Sequence, residues 1–253
     1  MAARDCRAII LAAGMGTRLR SMVDARPKGL IEIDGETLAG RSVRVLHEAG
    51  IDDVIIVVGY CAEQYELFAA QRPGVRTILN ERFATSGSMA SLARALDAAD
   101  PGDAAGVLVL ESDIVYETRA LTAILASPAS DATLLSGPTG AGDEVWVCAP
   151  NGRLQTMSKR AAELPGIAGE FVGITRLSAE GARAMRRAFA EFVVRFGHER
   201  MDYEAGALVN VAAERPIAAV LVPDLLWGEI DDERQFARVT RHVWPRLQEL
   251  RNA

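Results

Sequence analysis

A glycine-rich stretch, LAAGMGTRL at residues 11–19, is followed closely by Arg26, Pro27 and Lys28, bringing flexible backbone and fixed cations into one short segment. Gly14 and Gly16 let backbone N–H groups close around phosphate oxygens without interference from a Cβ. Arg18, Arg20 and Lys28 are cations suited to a triphosphate, and Pro27 fixes the backbone before the lysine. The stretch is not a dinucleotide-binding fingerprint, because Leu19 takes the third glycine position of G-x-G-x-x-G, and no G-K-[ST] follows to make a Walker A loop. Taken one at a time, the three cations also fit a solvated surface, and a single G-x-G fits an ordinary tight turn.

Carboxylates form the second group. In LVLESDIVYE, Asp113 lies just beyond the carboxyl end of an apolar run, where open α/β sheets bind ligands. An aspartate there suits Mg²⁺, which takes a few carboxylates together with substrate phosphates, and it equally suits a helix cap or a solvated turn. WGEIDDERQF offers Glu229 and Asp231, with Asp231 or Asp232 also fitting a plain helix cap. His47, His198 and His242 fall on or near outer helices and show no catalytic pattern, and no serine or cysteine has the partners of a covalent nucleophile.

These groups need elements to hold them. Residues 7–13 and 53–60 are apolar runs of the kind buried on both faces of a parallel sheet, and 75–80 and 106–113 read as a third and a fourth strand. Helical spacing covers 38–49, 62–70 and 88–99, with Ser88 placed as an N-cap. This alternation predicts a doubly wound, mostly parallel α/β sheet. After Asp131, short β-like runs (ATLLSG, EVWVCAP, GRLQTMS, GEFVGITRL) separated by Gly, Pro and Asn predict a small antiparallel addition. Helices at 179–196 and 203–213, a late strand in PIAAVLVP and a closing helix at 231–250 complete the expectation, and Lys28 is expected to begin a short strand.

The chain has 253 residues, 49% of them hydrophobic and 25% charged, which suits one domain with a sizeable core. We divide it into a nucleotide-binding half, about 1–130, and an acceptor-binding half with the closing helix, about 131–253. A net charge of −6 argues against nucleic acid as a partner. The apolar run near the N-terminus is too short for a signal peptide, and no stretch approaches a membrane span, so a cytoplasmic protein is expected. Cys6, Cys61 and Cys148 lack metal-binding spacing and are expected to be free thiols in a reducing compartment.

Residues 11–35 resemble the "LAAGxGTRL…PKxL" signature of the nucleotidylyltransferase (pyrophosphorylase) superfamily, and more closely its phosphocholine or 2-aminoethylphosphonate cytidylyltransferase-like branch. The resemblance implies a nucleotide-diphospho-sugar-transferase-like, Rossmann-type fold. It implies that Leu11, Ala12 and Ala13 meet the nucleotide, the alanines facing base and ribose, and that Gly14, Gly16, Thr17 and Arg18 wrap the NTP phosphates. Lys28 would sit beside the α-phosphate, making Arg18 and Lys28 the catalytic cations. Asp113 and Asp231, with Glu229 as a lesser candidate, would hold Mg²⁺. Asn80, Gly87, Ser88 and Ser91 would line the base pocket, although the branch often has asparagines where Ser86 and Gly87 stand here; each also fits a helix cap and its turn.

On the acceptor side the resemblance places Lys159 against the acceptor's phosphate, with an ordinary surface lysine as the alternative. It puts Trp146, Tyr203 and Trp227 in regions lining the acceptor pocket. With Asp202 and Glu204 beside Tyr203, such aromatics suit a cationic head group; core packing is the other reading. The expected reaction moves CMP from CTP to a small phosphorylated or phosphonate amine, phosphocholine or 2-aminoethylphosphonate, releasing pyrophosphate. A sugar-1-phosphate nucleotidylyltransferase is the alternative enzyme, a non-catalytic nucleotide-binding regulator the alternative of another class, and either a monomer or a homodimer is compatible with the sequence.

Overall fold

The computed structural model describes residues 6–19, 26–98 and 106–252; Arg20 and the side chain of Thr17 lie outside them. In chain order the elements are β1 (Arg7–Ala12), β2 (Glu32–Ile33), β3 (Glu36–Thr37), α1 (Leu38–Glu48), β4 (Val54–Val58), α2 (Ala62–Ala70), β5 (Val75–Leu79) and α3 (Ser88–Ala98). Then come β6 (Val107–Glu111), β7 (Ile114–Tyr116), α4 (Arg119–Ala126), β8 (Ala132–Ser136), β9 (Trp146–Cys148), β10 (Thr156–Ser158), β11 (Gly169–Leu177) and α5 (Ala179–Phe196). The chain continues with α6 (Val209–Glu214), β12 (Ala218–Val222), β13 (Trp227–Glu229), α7 (Glu233–Arg238) and α8 (Trp244–Asn252).

The main sheet runs β10-β9-β11-β6-β1-β4-β5, with β8 beside β11 and β12 beside β8. β5, β4, β1 and β6 are mutually parallel, and the apolar runs of β4, β1 and β6 predict that arrangement. β4 is buried along its whole length, and β1 along most of it. Helices cover both faces and bury two apolar layers, one including Ile10, Leu46, Ile56 and Tyr65, the other Ile9, Ile55, Met89 and Leu92. This is the doubly wound, mostly parallel sheet expected from the sequence. No helix among the described residues is long and apolar enough to cross a membrane.

The second half differs in detail from the expectation. β9, β10 and β11 pair antiparallel, but β12 runs parallel to β8, because the chain returns through α5 and α6 before adding that strand. Lys28 opens a 3₁₀ turn, Lys28–Leu30, rather than a strand; β2 follows at Glu32. The apolar run ending at Asp113 breaks at Ser112, so that Ile114–Tyr116 forms a separate ribbon with Trp227–Glu229. The expected helix at 203–213 begins as a π-helical turn, Tyr203–Leu208, and the closing helix is likewise interrupted by one at Val239–Val243.

Asp131 ties the second half together. It is 3% exposed. Its Oδ1 accepts from Ser178 N at 2.7 Å and Ser178 Oγ at 2.9 Å, at the start of α5. Its Oδ2 accepts from Arg215 Nε at 3.1 Å and Nη2 at 2.6 Å, just after α6. Asp131→Ala strands buried donors and is expected to cost about 2 kcal/mol, read as a lower urea midpoint at unchanged m-value.

Candidate active site

The carboxyl ends of β1, β4 and β6 form one edge of the sheet, and the glycine-rich segment crosses it. After Ala12 the chain passes through Gly14 and Gly16 into a 3₁₀ turn, Thr17–Leu19, whose Leu19 N donates to Gly16 O at 3.1 Å. Gly16 has φ +54°, and a Cβ there would meet Lys28 Cγ at 2.9 Å, so glycine is needed both for the left-handed backbone and for the lysine's passage. Leu11, Ala12 and Ala13 line the strand end beneath; the alanines are buried and Gly14 is exposed.

Lys28 is brought to the acids by the close packing of the residue after it. A Cβ on Gly29 would meet Tyr65 Oη at 2.5 Å and the Ser112 backbone oxygen at 3.1 Å, so only glycine lets this turn lie flat against the residue preceding Asp113. Lys28 Nζ then lies 3.1 Å from Asp113 Oδ2 and also donates to Asp231 Oδ1. Arg18 Nη2 donates to the other Asp231 oxygen. The two aspartates, far apart in sequence, meet because the β7–β13 ribbon is antiparallel: Ile114 pairs with Glu229, and Ile230 N donates to Asp113 O at 2.9 Å. Asp231 is buried, its backbone N donates to Gln235 Oε1, and it caps nothing; Asp232 is the α7 cap, accepting from Gln235 N at 2.8 Å.

More carboxylates converge here than the sequence singled out. Oxygens of Glu111, Asp113 and Glu229 lie within 4.8 Å of one another, as do those of Asp143, Glu229 and Asp231. Glu111 ends the apolar strand β6, and its carboxylate fits beside Gly173, where φ is +83° and a Cβ would meet Glu111 Oε2 at 2.7 Å. That charge at the tip of an apolar run was a readable signal. Asp143 had none: it arrives on the 137–145 loop, held by Gln235 Nε2 at 2.5 Å and by Arg234, which donates to Ala141 O.

Electrostatics follow from this crowding. Burial first, then the charges of Asp113 and Asp143, push the Glu229 carboxyl up to about 8, against the opposing pull of Lys28 and Lys159. Burial, with Glu229, Glu204 and Asp113, likewise holds Glu111 well above the ordinary carboxylate range. Closely set carboxylate oxygens from separate elements suit a hard divalent cation, and the adjoining Lys28 and Arg18 suit phosphate.

The remaining expected site residues divide. Asn80 is fully buried; its Nδ2 donates to Ser86 Oγ at 3.0 Å and Ser91 Oγ at 2.9 Å, so it organises the turn entering α3. Gly87 packs on the 199–201 backbone, where a Cβ would meet Met201 O at 2.3 Å. Ser88 Oγ accepts from Tyr203 N at 2.8 Å. Tyr203 is buried with its ring 6.2 Å from that of Phe171, and the nearby charges of Glu111 and Glu204 add to burial in raising its pKa. Asp202 and Lys159 are exposed, and the Lys159 charge lowers the pKa values of Glu204 and Glu229, which places it on the acidic side of the site. Trp146 is half-buried on β9, whereas Trp227 is a core residue whose Nε1 donates to Ser136 Oγ at 2.7 Å. Glu204, which the sequence reading mentioned only as a neighbour of Tyr203, is half-buried.

Comparison with known proteins places this geometry. The sequence profile described as MobA-like NTP transferase domain matches residues 8–183. The chain is 42% identical over 86 residues to the choline-phosphate cytidylyltransferase of Streptococcus pneumoniae, covering 34% of this chain and 37% of that protein, little more than a third of its length. It is 26% identical over 238 residues to the 2-aminoethylphosphonate cytidylyltransferase of Lancefieldella rimae, covering 93% and 92% of the two chains. The fold is similar to that of the inositol-1-phosphate CTP transferase from T. maritima, with TM-score 0.76 at 17% identity over 98% of this chain and 96% of that one.

The raised Glu229 gives a stability signature. Its folded value of about 8 exceeds the ordinary 4.5, so the native state holds the proton more tightly and loses stability as pH rises through 8. Glu229→Gln is expected to flatten that loss, measured as denaturation midpoints from pH 4.5 to 9 without divalent metal; an unchanged pH slope would exclude it.

Proposed function

The chain belongs to the MobA-like NTP transferase family, and from that premise we propose that it is a cytidylyltransferase moving CMP from CTP to a small phosphate or phosphonate that carries an amine, with release of pyrophosphate. The observation that carries this reading is the meeting of Lys28 and Arg18 with Asp113 and Asp231 beneath the glycine-rich turn. The similarity along almost the whole chain to an enzyme named for 2-aminoethylphosphonate supports the acceptor class.

An acceptor phosphate or phosphonate oxygen is already ionised near neutral pH and needs no general base. It attacks the α-phosphorus in line, the new P–O bond forms as the bond to the bridging oxygen breaks, and pyrophosphate carries away the electron pair. The chain's tasks are placement and charge neutralisation. Gly14 and Gly16 turn backbone amides toward the phosphates, Lys28 meets the α-phosphate and Arg18 the leaving pyrophosphate. Asp113 and Asp231, with Glu229, would hold Mg²⁺, which supplies positive charge to the phosphate oxygens. Asn80, with Ser91, fixes the turn beside the base; Lys159 meets the acceptor's phosphate. Glu111 and Glu204, whose charges reach Tyr203, would pair with an ammonium head group, which in turn would draw down their raised pKa values.

On this reading, residues 1–130 bind nucleotide and residues 131–253 bind acceptor within one domain. Pyrophosphate release is to be measured for four NTPs against phosphocholine, 2-aminoethylphosphonate, phosphoethanolamine and glucose 1-phosphate, with and without Mg²⁺. Turnover confined to CTP, Mg²⁺ and an amine acceptor is the expected outcome. Turnover with glucose 1-phosphate alone moves the chain to the sugar-1-phosphate nucleotidylyltransferases, and silence throughout points to a nucleotide-binding regulator. Lys28→Ala is expected to lower kcat by about 10²–10³-fold, the size of losing one preorganised donor; a fall under threefold rejects its role.

A further inference from the structure

A second charged cavity, of about 1080 Å³, lies between α1, the start of α4 and α8, away from the glycine-rich turn. Its apolar floor includes Val45, Leu226 and Leu247, and five arginines line it: Arg41, Arg44, Arg119, Arg246 and Arg251. Four acids also line it, and three of them are spent on pairs: Arg44 with Glu48, and Arg119 with Glu117 and Asp224. Arg44 is further held by Glu36 outside the lining. Glu249 is the fourth acid, and among the described residues neither it nor Arg246 nor Arg251 has an ion pair.

Arg41 is the most telling member. It is 5% exposed, its Nη2 donates to Tyr116 O at 3.0 Å, and its Nη1 is 3.9 Å from Glu36. Its guanidinium stands 5.4 Å over the Trp244 ring. Its Nε is buried without any hydrogen-bond partner, a costly omission for a charged group. Burial and the like charges of Arg44 and Arg251 press its pKa below the usual arginine value, a strain that an anion would relieve. Two guanidinium groups without an acid partner among the described residues, Arg246 and Arg251, beside the buried Arg41 and over an apolar floor in a chain of net charge −6, are a poor arrangement for stability and a good one for oxyanions.

We infer that this cavity is a second ligand site, which binds a small polyanion bearing phosphate or carboxylate groups on Arg41, Arg246 and Arg251. Arg41 links it to the catalytic edge. Arg41 holds the Tyr116 carbonyl at one end of the β7–β13 ribbon, and Asp113 and Glu229 lie at the other. The site stands whatever group the catalytic centre transfers.

The test is calorimetric titration of the intact chain, without divalent metal, using inorganic pyrophosphate in one arm and citrate in the other. The exposed pair Arg246→Ala/Arg251→Ala is the variant of choice, because Arg41 also supports Tyr116. Two pyrophosphate sites are expected. One should be lost in Lys28→Ala, the other weakened at least tenfold in Arg246→Ala/Arg251→Ala, with thermal unfolding of the free variant unchanged. Binding of citrate at the second site marks it as a general oxyanion site, and refusal of citrate marks it as a phosphate site. A single pyrophosphate site that Lys28→Ala removes and the arginine pair leaves intact overturns the inference. So does sedimentation showing a dimer that the arginine pair breaks without any loss of anion binding.

Discussion

Everything at the catalytic edge depends on one contact: the Lys28 ammonium set between Asp113 and Asp231, with Arg18 on the second Asp231 oxygen. Side chains of these aspartates are 16% and 7% exposed, so water alone cannot neutralise them. A buried and a half-buried carboxylate held this close would repel strongly, and a cation between them makes the arrangement tenable. The same charge balance makes the edge receptive: a divalent ion can take over the acids, and phosphate can take the basic side chains.

That contact rests on backbone decisions some distance away. The β7–β13 ribbon brings the two aspartates together at its end: Glu229 pairs with Ile114, and Ile230 N, just before Asp231, donates to Asp113 O. Gly29 lets the lysine turn pack on Ser112, and Gly173 makes room for the Glu111 carboxylate inside a bulged strand. In each case a missing Cβ places a charged side chain. Function at this edge therefore constrains small residues that do no chemistry themselves.

The second half of the chain works through a different device. The 137–145 loop carries Asp143 to the acids, and it is anchored from both sides. Thr139 N and Oγ1 donate to Glu170 on β11, while Arg234 and Gln235 at the start of α7 hold Ala141 and Asp143. Burial lifts the Glu170 carboxyl to about 7 even though it accepts these bonds. The loop thus joins the antiparallel strands to the helix that follows Asp231.

The sequence alone determined the sheet and the glycine-rich turn that follows its first strand. Continuous apolar runs can be buried only between two helical layers, and glycines beside Arg18 and Lys28 have a local meaning that needs no partner. It also placed Asp113 and Asp231 at strand ends, because such ends are visible where apolar runs stop. Choosing between Asp231 and Asp232 was left to the tertiary structure, since cap and ligand differ only in which way the carboxylate faces. Tertiary structure also decided that Trp227 is core, that Asn80 is bound up with Ser86 and Ser91, and that Glu111 and Asp143 join the acids. The reason is common to all of these: local pattern fixes which face of an element is apolar, whereas the meeting of charges from distant segments depends on strand register and loop anchoring, which no short stretch of sequence encodes.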